Sequence, residues 1–322
     1  MTEMGRSTNF RGALFALTAF GIYSTHDVVV KSLGATYSPF QLVFFSTLFG
    51  FPIVTVMLMR DPVEGNLRPN HPWWTLLRTV AAVITTSSAF YAFSVLPMAQ
   101  TYAIIFAAPL LITVLAIPIL GEKVGWRRSL AVTVGLFGVL VVLQPGATAF
   151  TPGHLAALSA AVSSAVAAVV MRKIGRDERS AVMILYPMMA NFVLMAGAMP
   201  FVYKPMSTPE LGGFALIALL GFGGALCHIA AYRAASAVIV APMQYSQILW
   251  AVVYGFVFFA ETPDWNTAVG AAIIIASGVY VVFREERPAV SNTTPVLQTR
   301  SRYVSGTYPR ISTLLRFLRK DD

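Results

Sequence analysis

The polar residues best suited to chemistry lie near the end of the first apolar stretch, where Ser24-Thr25-His26-Asp27 is followed by Lys31. Ionisable side chains at membrane depth are costly, so they usually mark a substrate or ion pathway. Asp27 and Lys31 are four residues apart, and this spacing allows them to pair on one helix face. The run predicts a substrate or proton site built from His26, Asp27 and Lys31. The alternative is a structural ion pair, with Lys31 reaching the membrane interface.

A second group of candidates consists of aromatic, amide and imidazole side chains in the later stretches. Gln247, Trp250 and Tyr254 follow an i, i+3, i+7 spacing and share one helix face. A flat heteroaromatic ring would stack on such aromatics and hydrogen-bond to amides. The alternative is the belt of Tyr and Trp that forms at membrane interfaces. The substrate-binding candidates in this group are Tyr91, Tyr102, His228, Tyr245, Gln247 and Trp250.

Prolines and glutamates mark the remaining positions of interest. Prolines inside helices kink or break them, and such breaks can serve as hinges near a transport site. Glu122 and Glu261 lie at the ends of apolar stretches, where a loop-structuring or gating role is expected. The prolines expected to kink or break helices are Pro109, Pro118, Pro187 and Pro242.

Enzymatic motifs are absent from the sequence. It has no Walker A motif, no GxSxG and no HExxH, and Cys227 is its only cysteine. We therefore predict no catalytic residue, no metal and no cofactor. An integral-membrane enzyme would need acids or histidines clustered at one face, and a passive channel would need a polar stripe lining a pore. Neither pattern is present, so both are the less favoured alternatives.

The elements that must position these residues are membrane-spanning helices. Of the 322 residues, 57% are hydrophobic and 11% are charged, well below the quarter typical of soluble domains. A helix of ~20 apolar residues spans a bilayer. We predict an all-α polytopic membrane protein, with spans at about 12–33, 39–59, 74–96, 99–120, 127–144, 153–171, 180–203, 211–231, 236–259 and 266–283.

The distribution of basic residues predicts the orientation. If both termini are cytoplasmic and ten helices alternate, 21 of the 23 Lys and Arg lie inside, and only Lys31 and Lys204 lie outside. This matches the positive-inside rule. The excess of Lys and Arg over Asp and Glu is then explained by contact with the anionic cytoplasmic leaflet, so it does not indicate binding to nucleic acid. We predict a multi-pass protein of the cell inner membrane.

An internal repeat divides the chain into two halves. Leu120-Gly121-Glu122 with Trp126 has a counterpart in Phe259-Ala260-Glu261 with Trp265, 139 residues later. Five helices per copy is an odd number, so the second copy is inverted in the membrane. Inverted repeats are typical of secondary transporters, whose substrate site lies near the midplane between the halves.

These motifs resemble a known family. Phe90-Tyr91-Ala92, Leu96-Pro97-Met98-Ala99, Ala108-Pro109, Leu120-Gly121-Glu122 and Leu143-Gln144-Pro145 look like the first of two EamA domains of the drug/metabolite transporter superfamily, and Glu261, Trp265 and Gly278 mark the second. The chain is most similar to the bacterial riboflavin-uptake members, followed by exporters of amino acids and related metabolites. Many relatives have an arginine after a paired aromatic in the second helix. Here Phe44-Phe45 precedes Ser46-Thr47, which disfavours a carboxylate clamp.

The resemblance implies a secondary transporter of a small organic metabolite, with riboflavin uptake as the first expectation and export of amino acids or related metabolites as the alternative. The domains expected are a first repeat at 12–144, a second repeat at 153–283 and a cytoplasmic, disordered tail at 284–322. Part of the tail, 311–320, has the pattern of a basic amphipathic helix. The oligomeric state is left open, a homodimer included.

The charge distribution makes a direct prediction about topology. A reporter that is active only in the cytoplasm should be active when fused after Arg176 or at Asp322, and inactive when fused near Ser207. Reporter activity in cells expressing each fusion measures this. Activity at Ser207 together with inactivity at Asp322 would contradict the orientation.

Overall fold

The protein is a bundle of membrane-spanning helices. The computed structural model describes residues 3–59, 67–122, 124–144, 150–175, 177–235 and 237–285, and within these ranges all regular structure is helical. The predicted tail, with its amphipathic segment at 311–320, lies outside the described residues. The helices are α1 Glu3–Gly34, α2 Pro39–Met59, α3 Pro72–Val95, α4 Met98–Ile105, α5 Ala108–Leu120, α6 Trp126–Leu143, α7 Pro152–Ile174, α8 Ser180–Val202, α9 Thr208–Ala234, α10 Ala237–Val240, α11 Ser246–Phe259 and α12 Trp265–Glu285.

The prediction of ten spans is confirmed. Among the described residues, nine segments have the length and apolar composition to cross a membrane, and one of them, Met98–Leu120, combines α4 and α5. The remaining predicted span, the ninth at 236–259, is divided into α10, a 3₁₀-helix at Ala241–Tyr245 and α11. Helices are the structures that satisfy backbone hydrogen bonds within a single segment in lipid, which explains why the apolar stretches fold in this way.

Two of the spans are broken, and the breaks correspond in the two repeats. In the first repeat α4 ends at Ile105, and α5 begins with Pro109 in its first turn, where the missing N–H costs least. In the second repeat Pro242 lies in the 3₁₀-helix before α11. Phe106 and Tyr245, which are 139 residues apart, meet edge to face with ring centroids 5.5 Å apart. The two breaks therefore meet in the middle of the protein.

The other two prolines expected to act as kinks behave differently. Pro118 lies within α5 and Pro187 lies within α8, and neither helix is divided. Neighbouring helices in a bundle can satisfy the backbone groups that a proline leaves free. A proline by itself therefore did not determine where the spans break.

Helix pairing follows the inverted repeat. Helix α1 packs on α9, and its counterpart α7 packs on α3, while α6 packs on α12 and α2 packs on α8. The α1–α9 pair of one repeat order thus corresponds to the α7–α3 pair of the other. The α6–α12 and α2–α8 pairs each join a helix to its own counterpart in the other repeat. The two halves are therefore interleaved, and each half contributes helices to the surroundings of the other.

The α6–α12 contact depends on small residues. A Cβ atom added to Gly270 would lie 2.7 Å from the carbonyl oxygen of Gly138, and one added to Gly138 would lie 3.0 Å from the carbonyl oxygen of Gly270. Next to them, the Ser277 hydroxyl donates to the Ala131 carbonyl. Small residues allow membrane helices to approach closely, as here at the contact between the two repeats.

Replacement of Gly270 by alanine should destabilise this contact. The new methyl group would collide with backbone of α6, which cannot move away easily, and overpacking of this kind costs about 1–3 kcal/mol. The apparent Tm of the purified protein should fall by several degrees. Gly197→Ala in α8 is the matched control, because a Cβ atom there meets no other atom within 4 Å. An equal effect of the two substitutions would contradict the close-packing argument.

Candidate functional site

A cavity lies at mid-depth in the bundle, between α1, α2, α3, α8 and α9. It has about 1010 Å³ of space not filled by atoms, part of which is continuous with the surroundings of the protein. Helices from both repeats line it, as expected for a transporter site at the repeat interface. The lining residues are Tyr23, His26, Asp27, Ser46, Thr47, Gly50, Ile53, Val54, Thr86, Phe90, Met188, Asn191, Ile217, Ala218, Gly221 and Phe222.

Asp27 is the only acidic residue of this lining, and only 5% of its surface is exposed. One carboxylate oxygen, Oδ2, accepts a short hydrogen bond from the Tyr102 hydroxyl. The other, Oδ1, lies 2.7 Å from Nδ1 of His26. Asp27 does not pair with Lys31, although their spacing allows it, because Lys31 is held by Glu261. Asp27 is positioned instead by its neighbour His26 and by the fourth span.

Tyr102 connects Asp27 to the broken ninth span. Its ring is completely buried, so it stands behind Asp27 rather than at the wall of the cavity. The amide Nε2 of Gln247, at the start of α11, donates to the Tyr102 hydroxyl at 3.3 Å. A polar network therefore runs from the cavity through Asp27 and Tyr102 to Gln247, and joins the first, fourth and ninth spans. A buried network of this kind holds its members in one arrangement.

Lys31 pairs with Glu261 at the end of α11. Its Nζ lies 2.8 Å from Glu261 Oε1 and donates to the Leu96 carbonyl at 2.6 Å. The second carboxylate oxygen of Glu261 accepts from the backbone N–H of Met98 at 2.9 Å. This pair binds together the ends of the first and ninth spans and the short link between the third and fourth. We call this end of the bundle the Lys31 face.

The first repeat contains the same arrangement at the opposite end of the bundle. Arg172 at the end of α7 pairs with Glu122 at the end of α5, and both side chains are nearly buried. Next to them, Nζ of Lys173 donates to the Ile119 carbonyl at 2.9 Å. Glu122 precedes Glu261 by 139 residues, and Lys31 precedes Arg172 by 141. The two ion pairs are therefore counterparts on opposite faces, and we call the second end the Arg172 face.

The remaining predicted candidates lie away from the cavity wall. The His228 ring packs against Phe20 and Tyr23, at centroid distances of 5.3 and 6.3 Å. Tyr245 is 4% exposed and fits against Gly278, where an added Cβ atom would overlap its hydroxyl. Tyr91 is half-buried in α3, and its carbonyl accepts from Ser94. None of these three belongs to the cavity lining given above.

The predicted stacking face of α11 is also turned away from the cavity. Trp250 is 37% exposed and lies over Gly21 of α1, where an added Cβ atom would be 3.6 Å from its ring. The Tyr254 hydroxyl lies 3.2 Å from Oγ1 of Thr25. Gly21 and Thr25 lie on one side of α1, while His26 and Asp27 lie on another, because residues follow each other at about 100° around a helix. Only Gln247, through Tyr102, is connected to Asp27.

Several lining residues were not among the predicted candidates. Ser46 and Thr47 occupy the positions that follow Phe44-Phe45, and both line the cavity. Asn191 in α8 is 4% exposed, and its Oδ1 has no hydrogen-bond partner among the described atoms. A polar residue in the middle of an apolar span was a usable signal for Asn191. Phe90 and Phe222 carried no such signal, because phenylalanine is common throughout these spans.

Comparison with known proteins identifies the family. The sequence profile of the EamA-like transporter family matches the chain twice, over residues 10–144 and 151–284. The chain belongs to this family. The resemblance found in the sequence is thereby confirmed, and the protein is a transporter of the drug/metabolite type.

The curated relatives have different substrates in their names. The chain is 28% identical over 267 residues to an S-adenosylmethionine uptake transporter of Rickettsia bellii, covering 82% of this chain and 90% of the relative. It is 25% identical to a riboflavin transporter of Brucella anthropi, with coverage of 75% and 87%. It is also 25% identical to a pseudopaline exporter of Pseudomonas aeruginosa, with coverage of 83% and 94%.

A solved crystal structure supports the fold. It superimposes with a TM-score of 0.60 at 21% identity, and covers 86% of this chain and 98% of the other.

The Lys31–Glu261 pair should show strong coupling between its two members. Glu261→Gln leaves the ammonium of Lys31 without a counter-charge, and loss of one partner of a buried pair costs about 3 kcal/mol. The apparent Tm of the Glu261→Gln protein should fall clearly. The double variant Lys31→Met, Glu261→Gln should recover much of the loss, because no charge is then left unpaired. Simple addition of the two single losses in the double variant would show that the pair is not coupled.

Proposed function

We propose that this protein is a secondary transporter that carries a nucleoside-sized organic metabolite inward across the bacterial cytoplasmic membrane, with the central cavity as its substrate site. The observation that supports the proposal is the buried carboxylate of Asp27 in a cavity lined by both repeats. A buried carboxylate in lipid is costly and is kept where it serves transport.

Transport would follow alternating access about this cavity. On each face of the bundle an ion pair joins the ends of spans from different repeats, Lys31–Glu261 on one face and Arg172–Glu122 on the other. Opening one face would require its ion pair to separate while the other pair stays closed. The breaks at Pro109 and Pro242 lie in the two spans whose ends carry Glu122 and Glu261, where they can serve as hinges.

The orientation proposed is the one that the basic residues favour. With both termini in the cytoplasm, the Lys31 face is exterior and the Arg172 face, with Lys173 and Arg128 nearby, is cytoplasmic. The Lys31–Glu261 pair would then close the outward entrance, and the Arg172–Glu122 pair would close the inward exit. A solute entering from outside would meet the first pair before it reached Asp27.

The relatives suggest two solutes. S-adenosylmethionine and riboflavin both combine a planar heteroaromatic ring with a polar chain, and both are named as the cargo of transporters similar to this chain. The cavity offers Phe90 and Phe222 for stacking, together with polar groups at Asp27 and Asn191. Uptake of labelled S-adenosylmethionine and of labelled riboflavin by cells expressing the protein tests the proposal directly. Export of amino-acid derivatives is the rival function, and the similarity to a pseudopaline exporter favours it.

Substitution of Asp27 by asparagine should strongly reduce uptake. The asparagine keeps the shape but removes the charge at the cavity, and a hydrogen bond to a charged group is worth about 1.5–3 kcal/mol, or about tenfold or more. Initial uptake rates at equal protein levels measure the effect. The control is Glu210→Gln at the start of α9, where glutamine can still cap Ser207. Uptake by Asp27→Asn equal to that by Glu210→Gln would exclude Asp27 from the site.

A further inference from the structure

The polar groups at the cavity wall include several hydrogen-bond acceptors. The lining includes the carboxylate of Asp27 and the imidazole of His26, but neither lysine nor arginine occurs among its described residues. In a neutral His26, donation from Nδ1 to the Asp27 carboxylate leaves Nε2 as an acceptor. A solute that binds here therefore meets a carboxylate, with no lysine or arginine among the described lining residues.

Two lining hydroxyls have already used their protons within their own helices. The Ser46 hydroxyl donates to the Val43 carbonyl at 3.1 Å, and the Thr86 hydroxyl donates to the Ala82 carbonyl at 3.0 Å. Such bonds to preceding carbonyls are common in membrane helices. The oxygen of the Ser46 hydroxyl can then still accept a hydrogen bond.

Asn191 adds an acceptor that nothing in the described structure satisfies. Its Oδ1 is buried and has no hydrogen-bond partner. An unsatisfied buried amide carbonyl costs free energy, which a donor group on a bound solute would recover. The amide nitrogen of the same side chain can hold an acceptor on that solute.

The nearest lysine cannot neutralise Asp27, because it is committed elsewhere. Lys31 lies one helical turn beyond Asp27, but it is held by Glu261 and by the Leu96 carbonyl, and it is only 8% exposed. Tyr102 supplies a hydrogen bond to the Asp27 carboxylate but no charge. A positive charge on the solute would provide the compensation that a buried carboxylate requires.

We propose that the transported solute is an organic cation rich in N–H donors, whose positive group binds at Asp27, whose amino groups meet the acceptors of the wall, and whose ring stacks on Phe90 or Phe222. The proposal rests on the proposed function, because it assigns a substrate class to the same cavity. It favours S-adenosylmethionine, whose sulfonium and ammonium outnumber its one carboxylate and give it a net positive charge, over riboflavin, which has no positive charge.

Binding to the purified full-length protein tests this proposal without relying on transport. Equilibrium dialysis would compare S-adenosylmethionine with S-adenosylhomocysteine, which lacks one methyl group and the sulfonium charge but is otherwise the same molecule, and with riboflavin. The sulfonium compound should bind at least about tenfold more tightly than the thioether, which keeps the ammonium and carboxylate but has no net charge; this is the factor expected for one charge-assisted contact. Asp27→Asn should remove most of this difference, and its folding is checked by its apparent Tm.

Two further variants separate charge from general disruption. Asn191→Leu removes the unsatisfied acceptor and should weaken both adenosyl compounds several-fold, with their ratio kept. Asp177→Asn at the Arg172 face removes an exposed carboxylate and should leave binding unchanged, since 66% of that side chain is exposed.

Four outcomes would contradict the assignment of a cationic solute. Equal binding of the two adenosyl compounds, preferred binding of riboflavin, no binding of either adenosyl compound to the folded protein, or a charge preference that survives Asp27→Asn would overturn the cation assignment. Uptake of riboflavin by cells, without any preference for cations, would leave the proposed function standing while refuting this inference. A clear binding preference for the cation without uptake or export in cells would refute the proposed transport function and leave the cation preference of the cavity standing.

Discussion

The structure depends on one constraint, which is that a charge or polar group at membrane depth must find its partner within the protein. Lys31 is held by Glu261 and two carbonyls of the third span, and Arg172 is held by Glu122. In water such groups could stand alone, but in lipid each one specifies which helix ends lie together. The ion pairs thus determine how the spans are arranged at each face.

As a result of the inverted repeat, the same kind of ion pair occurs at both faces of the bundle. Glu122 and Glu261 both end the fourth span of their repeat, and each is held by a cation at the end of the first span of the other repeat. The breaks in the same two spans meet at Phe106 and Tyr245. Because each face is closed by an equivalent ion pair, the bundle could open at either face by the same kind of movement. Alternating access requires this property.

The cavity differs from the faces because no lysine or arginine of the described residues pairs with its carboxylate. At each face a carboxylate has a cation beside it, whereas Asp27 has an imidazole and a phenol. The network through Tyr102 to Gln247 positions Asp27 but leaves room for a positive group on its open side. The same network connects Asp27 to the broken ninth span, whose end carries Glu261.

The sequence by itself determined the fold class, the ten spans, the inverted repeat and the family, because these depend on local composition and on the 139-residue spacing of Glu122 and Glu261. It also identified His26 and Asp27 as a candidate site, since ionisable residues in an apolar span stand out without any structure. Only the tertiary structure decided the partners. Lys31 reaches Glu261, 230 positions away in the sequence, rather than Asp27 one turn away, and Trp250 faces α1 from outside while Asn191 faces the cavity. Spacing along one helix shows which residues share a face, but which neighbour covers that face depends on how ten helices pack, and that is a property of the whole chain.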